Sequence, residues 1–248
     1  MPILAYTIVT LLLAITLYTL HKLRRVHLLL HDFRDQSRTD QVGMFRQLEA
    51  LQGLYIELDM KKSLPPTRGW AASPDFLLEV ARQARAMPGA TVVECSSGTS
   101  TLVLARCMQL NGAGKVYSLE HDARFAAQTR AQLRRLGLQE WAMVVDAPLQ
   151  PYNLDGQSWP WYDLSGLPTQ LGIDLLVIDG PPLATRPLAR YPAGPLLFPQ
   201  LNAGAAVYLD DSARRDEQSI LQRWQEEFPV LAQSASSCEK GCAVLRKS

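Results

Sequence analysis

From Ile3 to Leu20 the chain reads ILAYTIVTLLLAITLYTL without a single charge, and an apolar helix of this length, rising about 1.5 Å per residue, spans a hydrocarbon core. No Lys or Arg precedes the run and no small-x-small cleavage site follows it, which favours an uncleaved anchor over a signal peptide. Lys22, Arg24 and Arg25 come next. Basic residues beside a span stay on the cytoplasmic side, so the expectation is a single-pass membrane protein with its remaining residues in the cytoplasm. Between His27 and Met60 there is no Pro, and Met44, Leu48, Leu51, Tyr55 and Leu58 recur in steps of four and three. This predicts a helix with one apolar seam, for which packing against the following domain and homodimerisation are both open.

A Pro-rich connection, KKSLPPTRGWAASPDF (61–76), ends in a helix start, with Ser73 as N-cap and Pro74 at the first helical position. The expected organisation is therefore an anchor (1–21), a juxtamembrane helix and linker (22–63) and a folded domain (64–248). Within that domain, TVVEC (91–95) and KVYSLE (115–120) are each followed by a helical stretch, and AMVVDA (142–147), IDLLVID (173–179) and AAVYLD (205–210) follow. Continuous rather than alternating hydrophobicity suits strands covered on both faces, as in a parallel sheet wound by helices. VLAQSAS (230–236) and CAVLRK (242–247) flank a short polar turn and predict an antiparallel C-terminal hairpin, which brings the α/β sheet to seven strands. The segment between Pro148 and Ile173 is an insertion carrying Tyr152, Trp159, Trp161 and Tyr162, readable as a binding lid or as a small satellite core.

Composition narrows the function. The 248 residues suffice for one α/β domain with an appendage, and 25 basic against 24 acidic residues leave no wide electrostatic footprint for nucleic acid. The four cysteines are too unevenly spaced for a disulfide framework and fit a reducing compartment.

In open α/β sheets ligands gather at the carboxyl ends of the strands. Here those ends are acidic: Glu94, Glu120, Asp146, Asp179, Asp210 and Asp211. Carboxylates crowded on one rim repel one another unless they bind hydroxyls, an amine or a cation. Three of them on adjacent strand ends, Asp179, Asp210 and Asp211, suit a hard divalent cation such as Mg²⁺. In VVECSSGTSTLVLA (92–105), Gly98 falls in the turn between strand and helix, where backbone can approach a ligand.

This run resembles motif I of the class I S-adenosylmethionine-dependent methyltransferases, an acidic-x-Gly-x-Gly pattern. Gly98 matches its second glycine, and Ser96 stands where the first is common. The resemblance extends over roughly Leu64 to Lys247, through DLLVIDGPP (174–182), RYPAGPLL (190–197) and YLDDSARRDE (208–217), and is nearest to a branch that includes metal-assisted sugar and small-molecule O-methyltransferases. It implies a Rossmann-like fold and an S-adenosylmethionine site formed by Glu94, Ser96, Gly98, Thr99, Ser100, Glu120, His121, Asp146 and Ala147. In that site Glu120 would hold the ribose hydroxyls, Asp146 would contact adenine and Trp70 would cover the entrance. It also implies a divalent cation on Asp179, Asp210 and Asp211, with Asp179 the candidate catalytic residue. Catechol-type relatives place a Lys base three residues after the first metal Asp, where this chain has Pro182, so the resemblance supplies no base. The expected acceptor is a hydroxylated small molecule, a glycan or a lipid-linked sugar. A non-catalytic membrane-tethered scaffold and a metal-independent N-methyltransferase are the alternatives. Arg214 and Arg215, after the Asp pair, read as solvated or salt-bridged surface charges on the first turn of a helix, and Asp122 as the cap of the helix that follows it.

Overall fold

The computed structural model describes the whole chain except Met1, Arg68, Trp70 and Gln170, so the residue expected at the entrance, Trp70, lies outside the described residues. Two compact units divide at Arg46 and Gln47. The first is helical throughout its described length, as part of α1 (Pro2–Glu57), and its apolar stretch is long and apolar enough to cross a membrane, with mean hydropathy 2.2 and none of it buried.

The second unit opens with the last turns of α1. Their packed face is Gln47, Ala50 and Leu54, continued by Leu58. That corrects the seam expected from periodicity, since Met44 and Leu48 are more than half exposed and the buried stripe lies on neighbouring positions. The second compact unit begins at Gln47. Gln47 is buried because its Oε1 accepts the Asp75 amide at 3.2 Å at the start of α2 (Pro74–Arg85). Ser73 does occupy the N-cap of α2, yet its hydroxyl donates to Asp75 Oδ1 (2.6 Å) and caps no amide.

Strands β1 (Thr91–Cys95), β2 (Lys115–Glu120) and β3 (Ala142–Asp146) alternate with α3 (Thr99–Asn111) and α4 (Ala123–Leu136). After an insertion follow β6 (Ile173–Ile178), the short α5 (Ala193–Leu197), β7 (Leu201–Asp210), α6 (Arg215–Glu227), β8 (Leu231–Ser236) and β9 (Cys242–Lys247). The sheet order is β3-β2-β1-β6-β7-β9-β8; β9 runs antiparallel to both β7 and β8, and the other pairings are parallel. This is the seven-stranded, mostly parallel sheet with a closing hairpin that the apolar runs predict. Two cores flank it, one under α2 and α3 and one beneath α6, and the sheet residues of each alternate along the strands.

The insertion is ordered as an antiparallel hairpin, β4 (Leu149–Leu154) with β5 (Gln157–Tyr162). Asp155 and Gly156 turn it with φ of 51° and 72°, the left-handed pair that a two-residue hairpin turn requires. Trp159, Trp161 and Tyr162 are buried in the second core, so the satellite-core reading holds and the tryptophans present no stacking platform to solvent. Chain order along the sheet reverses between β1 and β6, and the ends of these two strands therefore open a crevice.

Candidate active site

Strand β1 delivers the chain to Ser96, which has φ 113°, and to Gly98, which has φ 151°. Both values fall where an L side chain is strained, and the serine carries that strain at the position where related motifs use glycine. Gly98 then caps α3, its amide donating to Thr101 Oγ1 at 3.0 Å. Glu94 does not reach the crevice. It is fully buried, and its Oε2 accepts hydroxyls from Thr101 and Ser118, each at 2.6 Å, tying β1 to β2 and α3. Burial raises its pKa, against the pull of those hydroxyls.

Glu120, at the end of β2, is brought to the crevice. Its Oε2 accepts the Ser97 amide (3.0 Å) and hydroxyl (2.8 Å), and its Oε1 accepts the Asp122 amide (3.0 Å), with His121 Nδ1 at 3.2 Å. Burial alone would raise this carboxyl, but the donors of His121, Asp122 and Ser97 bring it below the ordinary range, and Glu120 in turn raises His121. Ser97, absent from the motif-based set, is thus the residue that fixes Glu120. Asp122 caps α4, accepting the Arg124 amide at 2.8 Å.

Two adjoining cavities, of about 390 and 600 Å³, share Ser96, Ser97, Phe125 and Asp179 in their walls. The smaller takes in Gly98, Thr99 and Ser100; the larger takes in Glu120, His121, Tyr162, Arg190, Asp211 and Arg214. Asp146 and Ala147 line neither. Asp146 is largely exposed and pairs with Arg130 at 2.8 Å on the outer side of β3, and Ala147 is buried.

Beyond β6 and β7 lie the three aspartates. Asp179, Asp210 and Asp211 each offer a carboxylate oxygen within 4.8 Å of the others. Asp211 has φ 58°, a left-handed turn at the strand end, and its amide donates to Asp210 Oδ1 at 2.8 Å. Threaded among them is Arg190, the first residue of the RYPAGPLL run, to which the sequence alone assigns no role. It is 4% exposed. Its Nη1 donates to the Asp210 carbonyl (2.8 Å), and its Nη2 faces the Asp179 carbonyl (3.0 Å), Asp179 Oδ1 (3.2 Å) and Asp211 Oδ2 (2.9 Å). Glu217 of α6 stands behind it, 3.7 Å from Nε. Arg214 takes the salt-bridged form of its reading, a half-exposed side chain whose Nη1 lies 2.8 Å from Asp211 Oδ2; Arg215 is exposed. Burial pushes Asp179 up to about 8 and Asp210 up to about 6, with the neighbouring Asp211 charge adding to both and Arg190 pulling against both. Pro182 and Leu183 line the same cavity.

Does the set suit a divalent cation? Arg190 uses one oxygen of Asp179 and one of Asp211, and the Asp211 amide uses one of Asp210. Asp210 Oδ2 and Asp211 Oδ1 remain buried with no hydrogen-bond partner among the described residues. Orphaned carboxylate oxygens beside a third carboxylate are the donor set a hard cation takes, so the residues fit one.

Residues 93–212, which run from β1 through the acidic cluster, match the family model described as a methyltransferase domain. That stretch is similar to a methyltransferase domain. Among solved structures it is similar to S-adenosylhomocysteine-bound methyltransferase PaMTH1 of Podospora anserina (TM-score 0.56, 15% identity, covering 86% of this chain and 96% of that one). It is also similar to cofactor-bound Rv0187 from MTB (0.51, 20%, 82% and 88%) and to the O-methyltransferase TomG of Streptomyces achromogenes in complex with S-adenosylmethionine (0.50, 14%, 82% and 89%). At such identities the likeness is one of fold. No curated protein matches the sequence.

Proposed function

We propose that the protein is an S-adenosylmethionine-dependent O-methyltransferase acting on a hydroxylated acceptor with divalent-cation assistance. The observation that carries this reading is the pair of adjoining cavities that share Ser96, Ser97 and Asp179, the smaller lined by the Ser96–Ser100 turn and the larger by Glu120 together with Asp179 and Asp211. Glu120, an acceptor-only carboxylate held from behind by Ser97, Asp122 and His121, suits the two hydroxyls of a ribose. The turn before α3 offers backbone amides to the amino-acid part of the methyl donor. Similar folds bound to S-adenosylmethionine or S-adenosylhomocysteine support the choice of donor.

Asp179, Asp210 and Asp211 would hold the cation, which when bound lowers the pKa of a coordinated hydroxyl and fixes its direction. Arg190 holds Asp179 and Asp211 against each other, so the three carboxylates stay together despite their repulsion. Asp179 lies at the junction of the two cavities, and the oxygen that Arg190 leaves free would turn toward both the cation and the acceptor hydroxyl, while Pro182 supplies no base of its own. The N-terminal apolar helix followed by Lys22, Arg24 and Arg25 supports a membrane anchor with the domain in the cytoplasm, and with it a membrane-borne acceptor such as a glycan or lipid-linked sugar.

The test uses the full chain in detergent micelles. Calorimetry should show S-adenosylhomocysteine binding that Glu120→Ala abolishes. Turnover on a panel of hydroxylated acceptors should disappear with chelator or with Asp210→Ala while that binding persists. Turnover insensitive to both would sink the cation-assisted mechanism. A second reading, a cation-free reaction, draws on Arg190, whose guanidinium already supplies one positive charge to the cluster; it predicts that insensitivity.

A further inference from the structure

Of the buried polar atoms without a hydrogen-bond partner among the described residues, the Tyr162 hydroxyl belongs to a residue in the wall of the larger cavity that has no role in the site described above. Tyr162 ends β5, is fully buried, and its hydroxyl has no hydrogen-bond partner among the described residues. Buried hydroxyls are nearly always paired, and one left bare is costly enough that it points to a partner supplied from outside the chain.

The surroundings of the hydroxyl indicate where that partner sits. The ring meets His121 edge-on, with centroids 6.0 Å apart. The hydroxyl stands directly against Gly180, where a methyl group would collide with it, and Gly180 in turn adjoins the Ser96 side chain. Tyr162, Ser96, Glu120, His121, Asp179 and Gly180 are all in the wall of the 600 Å³ cavity. The hydroxyl is therefore on the floor between the carboxylate suited to a ribose and the aspartate at the reaction end. Burial raises the phenol well above its ordinary pKa, so it keeps its proton and meets a ligand as a donor.

We propose that Tyr162 is a positioning residue whose hydroxyl donates a hydrogen bond to the nucleoside part of the bound methyl donor, between Glu120 and Asp179. This rests on the reading of the cavity as an S-adenosylmethionine site. The inserted hairpin then has a purpose beyond filling the core: its buried tryptophans fix β5, and β5 carries the donor to the cavity floor. Gly180, lacking a side chain, lets the hydroxyl reach that floor.

The experiment compares Tyr162→Phe with the parent, both as full chains in detergent. The hydroxyl has no partner in the unliganded protein, so its removal should leave the ligand-free melting temperature unchanged or raise it. Calorimetric affinity should fall about tenfold for S-adenosylhomocysteine and equally for 5′-methylthioadenosine, which retains the nucleoside and lacks the amino acid. A loss with the first ligand alone would place the bond on the amino-acid part and overturn the assignment. Equal affinities in the two proteins, or a ligand-free protein that melts several degrees lower, would overturn the proposal outright. Failure of the parent itself to bind S-adenosylhomocysteine would instead refute the cofactor reading beneath it, a result seen before the variant is compared.

Discussion

Replacing Arg190 with Met keeps most of the stem and deletes the guanidinium. Two backbone carbonyls, of Asp179 and Asp210, lose their donor, and the carboxylates of Asp179 and Asp211 lose their closest positive charge. Breaking a buried pair from one side costs about 3–5 kcal/mol, since the remaining charges stay buried. Arg214 remains 2.8 Å from Asp211 and compensates in part, which places the expected loss near 3 kcal/mol. For a domain of this size that lowers the melting temperature by roughly 6–12 °C. The loss has a pH signature. Asp179 and Asp210 are raised in the fold, to about 8 and about 6, so each contributes stability in its protonated form. That contribution is complete below the unfolded carboxyl range near 4 and is lost as pH rises through 6 and then 8. Arg190 pulls both values down, so removing it raises them further and steepens the decline. Urea unfolding of both proteins in chelator should therefore show the larger difference at about pH 8.5 and a smaller one at about pH 5.5. A difference below about 1 kcal/mol at the higher pH, or the same at both, would refute the role given to Arg190.

Other outcomes follow from the same geometry. Ser96→Gly relieves a residue at φ 113° and should raise unfolding free energy by about 1 kcal/mol; a lower denaturation midpoint would mean the serine side chain outweighs the backbone strain. A divalent cation favours ionised carboxylates, so the rise in melting temperature on adding Mg²⁺ or Mn²⁺ should grow from pH 6 to 8 and vanish in Asp210→Ala, as differential scanning would record. Gly194→Ala drives a methyl group into the Trp224 indole, whose Nε1 donates to the Tyr191 carbonyl at 3.0 Å, and should cost about 1–3 kcal/mol in chemical denaturation.

How much of this the sequence announces depends on how local the cause is. The five parallel strands are legible because burial on both faces leaves runs such as IDLLVI with hardly a polar residue, and the acids that end them mark the rim. The β4–β5 hairpin is obscured because Pro151 and Pro160 break its pattern, although the Asp155-Gly156 pair is a hairpin turn signal. Glu94 and Glu120 look alike as strand-ending acids, yet one is consumed by Thr101 and Ser118 inside the fold and the other faces the cavity. That difference depends on neighbours in β2 and α3. Arg190 is invisible for the same reason: its partners come from β6, β7 and α6, and nothing in RYPAG foretells them.

The position of β9 between β7 and β8 also bears on synthesis. A ribosome delivers β8 before β9, so the earlier strand must wait in solution for the neighbour that will hold it. An apolar strand left waiting would invite pairing with other chains. Instead β8 reads LAQSAS, with its middle four residues exposed in the finished sheet, and this polar, weakly sticky strand can idle safely until its partner arrives.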